Sequence, residues 1–432
     1  MAKRLFLSFV LGIYFWLFIL PAYAAVPRAQ PGLEPDSPGA VGSVYSPETH
    51  LCCNSETNQR YPAAAYNTQL KQYLIVNHAE DNDSRYISGV LLPLDSGART
   101  IFLVSDINDY DCCLHPDVVY SWTDNKFLVV WQQYNKPNNR WEIYGRWIKG
   151  SGPELPFTTF KIAESTGHNL KYPRVAWNSF RNEYLVVWQQ ETAAGFLDSI
   201  GFRRVAANGG FPAPAGFVRQ ANSPSAPDVT YNVAADQYLA VWSEVTPPPN
   251  YVDIYAAQLD YKGAVQNQVF PVRQKPGGQV LPAVTTNEQD RYLVVWQDDG
   301  AGNWDIYGQF LDVAGNQVGG EQAVAAASGD ETHPGVVANG LASQYVVAYQ
   351  NAKADGEWVE ARLFRGAQIT PEVIEIAVGA LGDNRYPAVG THLSGYFFAY
   401  QWVSWEPGSV DNLYGRFWSP AGSFLPAVFN NP

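Results

Sequence analysis

Tyr292-Leu293-Val294-Val295-Trp296-Gln297, followed after a polar connection by Asp305-Ile306-Tyr307-Gly308-Gln309-Phe310-Leu311, is the stretch whose reading decides the fold. A strand with one wet face alternates apolar and polar side chains, and five consecutive apolar residues do not. The run has to be covered on both sides. Variants of it recur along the chain behind a proline-led strand. The prolines are Pro62, Pro116, Pro173, Pro227, Pro282, Pro334 and Pro387, with steps of 54, 57, 54, 55, 52 and 53 residues. Five residues after each stands Asn67, Ser121, Asn178, Asn232, Asn287, Asn339 or His392, mostly short polar side chains that bond their own backbone and start a tight turn. Then come an aromatic (Tyr73, Phe127, Tyr184, Tyr238, Tyr292, Tyr345, Tyr396) and, four residues on, Asn77, Trp131, Trp188, Trp242, Trp296, Tyr349 or Tyr400.

A fixed period of this length over 432 residues argues for one repeat architecture, not two or three ordinary domains. Each unit reads as four strands: Pro-x-Val-x-aromatic, the Tyr-Leu-Val-Val-Trp run, the Asp-Ile-Tyr-Gly run, and a looser fourth strand such as Phe270 to Val272 or Val373 to Ile376. Four-stranded sheets stacked face to face around an axis cover the second strand of every unit on both sides. The expectation is an all-β, seven-bladed β-propeller of four-stranded antiparallel blades. A stacked solenoid is the alternative, but its end units need polar caps that neither terminus supplies. Two closures stay open: an N-terminal strand near residues 43–45, or the final strand Phe424 to Phe429 completing blade seven.

Charged residues make up 16% and aromatics 14% of the chain, so packing depends on rings more than on ion pairs. Lys3 and Arg4, an apolar run from Leu5 to Leu20, and Ala22-Tyr23-Ala24 have the three parts of a secretory signal peptide. Cleavage is expected after Ala24; residues 25–45 read as a Pro-, Ala- and Gly-rich linker and residues 46–432 as the propeller. Removing the leader takes the formal charge from −13 to −15, which disfavours nucleic acid and anionic membrane as partners. An exported, secreted or cell-surface protein with no membrane insertion after cleavage follows. Four cysteines in two vicinal pairs, Cys52-Cys53 and Cys112-Cys113, read as two disulfides between the pairs, fastening unit one to unit two.

The run Tyr-Leu-Val-Val-Trp-Gln, Asp-Ile-Tyr-Gly and Leu-Asp-x-x-Gly over residues 292–315 resembles the repeats of secreted bacterial seven-bladed β-propeller proteins, most of them without an assigned activity. The resemblance covers residues 46–432 and weakens in blade one, where Asn77 replaces the tryptophan, and in blade six, where Trp358-Val359-Glu360-Ala361 stands for Asp-Ile-Tyr-Gly. It describes framework and implies no activity, since propellers serve as lectins, enzymes and scaffolds alike.

Two places invite a ligand. The first is the mouth of the central channel, where Arg60-Tyr61, His115, Lys171-Tyr172, His333 and Arg385-Tyr386 precede the anchor prolines and would converge. Blades four and five carry Ser225-Ala226 and Val280-Leu281 there, so the mouth is expected to be lopsided, basic and aromatic on one side. An anionic or hydroxyl-rich ligand, or an acidic partner loop, would dock on that side. The second is the set of connections between second and third strands, read as nine to twelve residues long and carrying Trp141, Trp304, Trp358 and Trp405. The acids opening the third strand (Glu142, Asp198, Asp253, Asp305) read as caps on those connections.

No cofactor or metal is expected. Calcium is the alternative, at Asp81-Asn82-Asp83 or at Asp298-Asp299 with Asn303 and Asp305, although solvated turns explain both stretches and neither has the full calcium-loop pattern. No catalytic residue is assigned: there is no Gly-x-Ser-x-Gly elbow and no His-Glu-x-x-His. The first reading is a non-enzymatic binding scaffold for another extracellular protein or a ligand. The alternatives are a lectin-like glycan-binding module and a glycan-active hydrolase using carboxylates from different blades.

Overall fold

The computed structural model describes residues 44–420, apart from 47, 53–56, 82–83, 95–97, 106–112, 155–157, 221, 247–250, 341–342, 380–381, 393–394 and 407–408. The leader, most of the linker, Cys53, Cys112, Asn82, Asp83 and the stretch Phe424 to Phe429 therefore lie outside the described residues.

The strands fall into seven antiparallel sheets. Blade one holds β3 (Asn58–Asn67), β4 (Gln72–Glu80), β5 (Arg85–Pro93) and β6 (Thr100–Leu103), and blade two β7 (Cys113–Ser121), β8 (Lys126–Asn135), β9 (Arg140–Lys149) and β10 (Thr159–Ala163). Blade three is β11 (His168–Asn178), β12 (Glu183–Thr192), β13 (Leu197–Ala206) and β14 (Gly216–Arg219); blade four is β15 (Ser225–Asn232), β16 (Gln237–Thr246), β17 (Tyr251–Leu259) and β18 (Phe270–Arg273). Blade five is β19 (Gln279–Thr286), β20 (Arg291–Asp298), β21 (Asp305–Asp312) and β22 (Gln317–Ala325); blade six is β23 (Glu331–Asn339), β24 (Gln344–Lys353), β25 (Gly356–Arg365) and β26 (Gln368–Ala377). Blade seven takes β27 (Gly382–His392), β28 (Gly395–Ser404) and β29 (Asn412–Ser419) from one end of the chain, with β1 (Val44–Tyr45) and β2 (Thr49–Cys52) from the other. The first strands β3, β7, β11, β15, β19, β23 and β27 each touch the next, and β27 touches β3, so they form a closed inner ring. The chain is a seven-bladed β-propeller.

The packing shows why the second strand is apolar throughout. Tyr292, Val294 and Trp296 of β20 join Leu239 and Val241 of blade four in one cluster, while Leu293 and Val295 join Tyr345, Val347 and Tyr349 of blade six in another. Successive side chains of a strand point to opposite faces, and here both faces meet a neighbouring blade. The same division recurs at every other interface, down to Phe397 and Ala399 of blade seven against Tyr73 and Ile75 of blade one. The third-strand glycine serves this packing: a Cβ on Gly201 would stand 2.6 Å from the Trp188 ring nitrogen, and one on Gly415 would stand 2.6 Å from the Phe397 ring. In blade one, where Asn77 takes the tryptophan position, its fully buried amide donates to Gln59 Oε1 and its carbonyl oxygen accepts from Ser88 Oγ (2.9 Å). The turn residues act as expected: the side chains of Asn67, Asn178, Asn232 and Asn287 accept backbone N–H groups two to four residues on.

Closure uses the N-terminal strand. Val44 and Tyr45 pair with Ser419 and Trp418, and Thr49, His50 and Cys52 pair with Gly415, Tyr414 and Leu413. Leu51 and Cys52 are buried in the cluster between blades seven and one. Cys52 therefore belongs to the outer strand of blade seven, whereas Cys113 opens the inner strand of blade two. Among the described residues no cysteine is free. Cys53 and Cys112 lie beyond the described residues, and peptide mapping of the non-reduced protein is expected to find bridges from one vicinal pair to the other; vicinal rings alone, or free thiols, would refute that arrangement. Closure itself is tested at Leu51, where Leu51→Ala should cost about 2–5 kcal/mol in urea unfolding. The same change at the turn residue Leu70, 44% exposed, should cost under about 0.5 kcal/mol. Equal effects would mean that the ring is held shut elsewhere.

Candidate functional site

Every inner strand is interrupted once. Its register shifts between Arg60 and Ala63, Leu114 and Asp117, Lys171 and Arg174, Ser225 and Asp228, Val280 and Ala283, Thr332 and Gly335, and Arg385 and Ala388. Each shift spans the anchor proline, which has no N–H to give a sheet and sits in strands at bulges or edges. The residue before the proline is left-handed in all seven blades: Tyr61, His115, Tyr172, Ala226, Leu281, His333 and Tyr386 have φ between 48° and 53°. For a residue with a Cβ this conformation costs about 1–2 kcal/mol. In three blades the N–H of that residue is taken by the neighbouring blade. Gln132 Oε1 accepts from Tyr172 (2.9 Å), Gln189 Oε1 from Ala226 (3.0 Å) and Gln297 Oε1 from His333 (2.9 Å). Each of these glutamines directly follows the tryptophan of the repeat, so the Trp-Gln pair is an interblade clamp.

The bulges bring five rings together at the channel mouth. Ring centroids are 4.5 Å apart for Tyr172 and His115, 4.7 Å for His115 and Tyr61, 4.2 Å for Tyr61 and Tyr386, and 4.7 Å for Tyr386 and His333. His78, from the second strand of blade one, lies 5.3 Å from Tyr61 and 6.3 Å from His115. The arc runs over blades three, two, one, seven and six; Ala226 and Leu281 leave a gap in it at blades four and five. The lopsided mouth read from the sequence is thus a geometric feature, built of rings.

Its cations are paired. Arg60 meets Asp411 (2.8 Å) and Glu80 (3.4 Å), Lys171 meets Glu191 (2.6 Å), and Arg385 meets Asp383 (2.8 Å) and Glu357 (3.0 Å). The mouth therefore presents a rim of ion pairs and not a bare positive patch. Burial among the rings holds the histidines neutral, lowering His78 and His115 to about 3 and His333 to about 4, and pushes the Tyr61 hydroxyl above its usual range.

The connections between second and third strands are shorter than the nine to twelve residues expected, because the strands run on past the apolar core. Lys353 ends β24 and Gly356 opens β25; Ser404 to Asn412 is the longest such link. Trp141 and Trp358 consequently lie in β9 and β25, and Trp304 and Trp405 lie in connections. The Trp141 and Trp304 backbones are pinned by Asn169 (3.1 Å) and Asp330 (2.9 Å), both four residues before an anchor proline. Trp358 donates to Asp355 (3.0 Å) with the Lys353 ammonium 3.6 Å above its ring, while Trp405 is 53% exposed. These four rings are spread over four blades and do not converge as the mouth does.

The third-strand acids act as caps in blades two, four and five. Glu142 accepts from Asn135 (3.0 Å) and Asn138 (2.9 Å), Asp253 from the Lys275 N–H (3.2 Å) and Asp305 from Asn303 (3.0 Å). Asp298 pairs with Lys275 (3.1 Å) and accepts the Gly300 N–H, and Asp299 takes the Gly278 N–H. Among the described residues no three His, Cys, Asp or Glu side chains are placed to share a cation.

Sequence reasoning passed over the residue just after each anchor proline. Asp117, Arg174 and Asp228 stand there in blades two to four, with alanine or glycine in the other four blades. The signal was present as an irregularity at one framework position.

No protein-family model matches the chain, and no curated protein matches it. Solved structures do. An acylaminoacyl peptidase in complex with Z-Gly-Gly-Phe-chloromethyl ketone is 12% identical over 85% of this chain and 52% of its own, with a TM-score of 0.48. The β-propeller domain of the Trilobed protease from Pyrococcus furiosus is 10% identical over 88% and 100%, TM-score 0.47, and polysaccharide lyase Uly1 is 10% identical over 81% and 88%, TM-score 0.49. The chain spans about half the length of the acylaminoacyl peptidases it matches. At these identities the matches say nothing of an activity in this chain.

Two measurements probe this construction. Gln297→Leu removes the acceptor of a buried N–H and should cost about 1–3 kcal/mol in urea unfolding; no loss would mean that the clamp is incidental. The second concerns pH. A histidine of the unfolded chain titrates near about 6.5, whereas His115 does so at about 3 in the fold. As pH falls below about 6.5 the unfolded chain gains protons that the fold refuses, and stability is lost towards pH 4. Asp228, raised to about 6 by burial, acts in the opposite sense. His115→Phe should therefore flatten the fall of Tm between about pH 6.5 and 4; an unchanged slope would show that the ring protonates freely in place.

Proposed function

We propose that the protein is an exported, non-enzymatic β-propeller that binds a ligand or a partner protein over its channel mouth, within a cell-surface or extracellular assembly. The observation that carries this reading is the five-ring arc. The left-handed bulge is common to all blades and accommodates Ala226 and Leu281 as well as Tyr172, so the framework does not require an aromatic there. Concentrating Tyr and His at five adjacent bulges makes a rigid, amphipathic surface at the place where a ring of strands is concave. The basic, apolar and small-residue parts of the leader support export. A lectin-like role is the second reading, favoured by the same rings, whose faces suit the apolar side of a sugar.

The test is the double variant Tyr61→Ala/Tyr172→Ala, made in the exported protein and compared with wild type by partner capture and on a glycan array. Binding should weaken at least tenfold while Tm moves by only a few degrees, because the variant keeps the bulges. Unchanged binding would remove the mouth from consideration, and turnover of a bound glycan would replace the scaffold reading with a hydrolase.

A further inference from the structure

Below the rings, the channel wall is as uneven as the mouth. In all seven blades the residue after the anchor proline is reached by solvent, and in blades two to five the next residue (Val118, Val175, Val229, Val284) is buried between blades. The position after the proline therefore lines the channel. On one side it supplies Asp117, Arg174 and Asp228 from three consecutive blades. On the other it supplies only the small residues Ala63, Ala283, Gly335 and Ala388.

The hydrogen bonding of that wall is incomplete. The edge of an inner strand that does not pair with its second strand faces the channel. On that edge Asp117 Oδ2 accepts the Val175 N–H (2.9 Å) and Asp228 Oδ2 accepts the Val284 N–H (2.8 Å). Asp228 Oδ1 stands 3.9 Å from Arg174 Nε, too far for a hydrogen bond. Beside that 3.9 Å ion pair, Arg174 donates one long hydrogen bond, from Nη1 to the carbonyl oxygen of Pro173 (3.4 Å), and its side chain is 40% exposed. Unlike Arg60, Lys171 and Arg385, it keeps guanidinium N–H donors open, and they lie between two carboxylates.

This order of acceptor, donor and acceptor selects a ligand by charge. Two carboxylates and one guanidinium leave the wall net negative, which disfavours an anion, and a neutral molecule with several hydroxyl groups can donate to the carboxylates and accept from the guanidinium at once. The rings above belong to the same blades: Tyr172 precedes Arg174 by two residues, and His115 precedes Asp117 by two. We propose that the channel throat is a sugar-binding site, in which the terminal residue of a neutral glycan sets its hydroxyl groups on Asp117, Arg174 and Asp228 and its apolar face against Tyr172 and His115. Burial raises Asp117 above the usual carboxylate range and Asp228 to about 6, against the opposing pull of Arg174 and of the backbone N–H groups that each carboxylate accepts.

The inference rests on the channel-mouth reading and narrows it to one ligand class. Its test is calorimetric titration of the exported protein with a panel of methyl glycosides, pyranosides and furanosides, with glucuronate and glucosamine as charged controls. At least one neutral glycoside should bind. Arg174→Leu should weaken it at least thirtyfold, and Ala388→Leu, which enlarges a channel-wall side chain outside the polar triad, should abolish it. Ala388→Leu decides the matter if Arg174→Leu fails to fold. The proposal is overturned if no neutral glycoside binds, if only a charged control binds, or if binding survives both substitutions. Should that happen while Tyr61→Ala/Tyr172→Ala still loses a captured partner, the mouth stands as the binding surface and only the sugar assignment falls.

Discussion

The structure depends on the burial of the second strand of every blade from both sides. A blade alone would expose two apolar faces, because its Tyr, Val and Trp side chains point one way and its Leu and Val the other. Burying a large apolar side chain contributes about 1.5–3 kcal/mol, and each second strand commits five or so. No blade can therefore be stable without two neighbours, and the array has no acceptable end. Closure follows from this demand, and it explains why two short strands from the start of the chain are carried across to complete blade seven.

The same demand shapes the channel. Each inner strand breaks its pairing with the second strand once, where the anchor proline has no N–H to give. The proline and the left-handed residue before it form a bulge, which bends the strand locally. A bulge frees an N–H, and the glutamine after the repeat tryptophan accepts it from the next blade. Strain and side-chain display thus recur at all seven bulges, and the glutamine clamp is seen at three of them. Because the device holds the backbone whatever the side chain, the mouth can carry tyrosine, histidine, alanine or leucine at equivalent points.

How much of this was legible in the sequence follows from range. The seven units, their four strands and the Asn turns rest on local pattern, and the structure shows each of them. The short connections were misjudged because the apolar pattern stops where the core stops, whereas β8 continues through Gln132 to Asn135 with its hydrogen bonding intact. Closure could not be read, since β1 and β2 are two and four residues long and carry no motif. The mouth residues could be placed from their offset to proline, but their ion partners could not: Arg60 finds Asp411, 351 residues away, only because the ring closes. Arg174 was passed over because a difference at one framework position reads as drift until the channel shows what it faces.

Charge distribution joins these observations. A chain with few charged residues places short ion pairs around the rim, where Arg60, Lys171 and Arg385 are each held by carboxylates. These pairs are partly buried, with carboxylates 12–17% exposed, so the cost of desolvating them offsets much of their attraction. What such a rim does is cancel field: opposite charges a few ångströms apart leave little beyond a Debye length of about 8 Å. Under the binding role proposed above, a ligand would meet rings and dipoles at the mouth before any net charge, although the protein as a whole is strongly acidic. Long-range steering would then be weak, and selection would fall to short-range contacts inside the channel, where a hydrogen bond shielded from water counts for more than it would on the open surface.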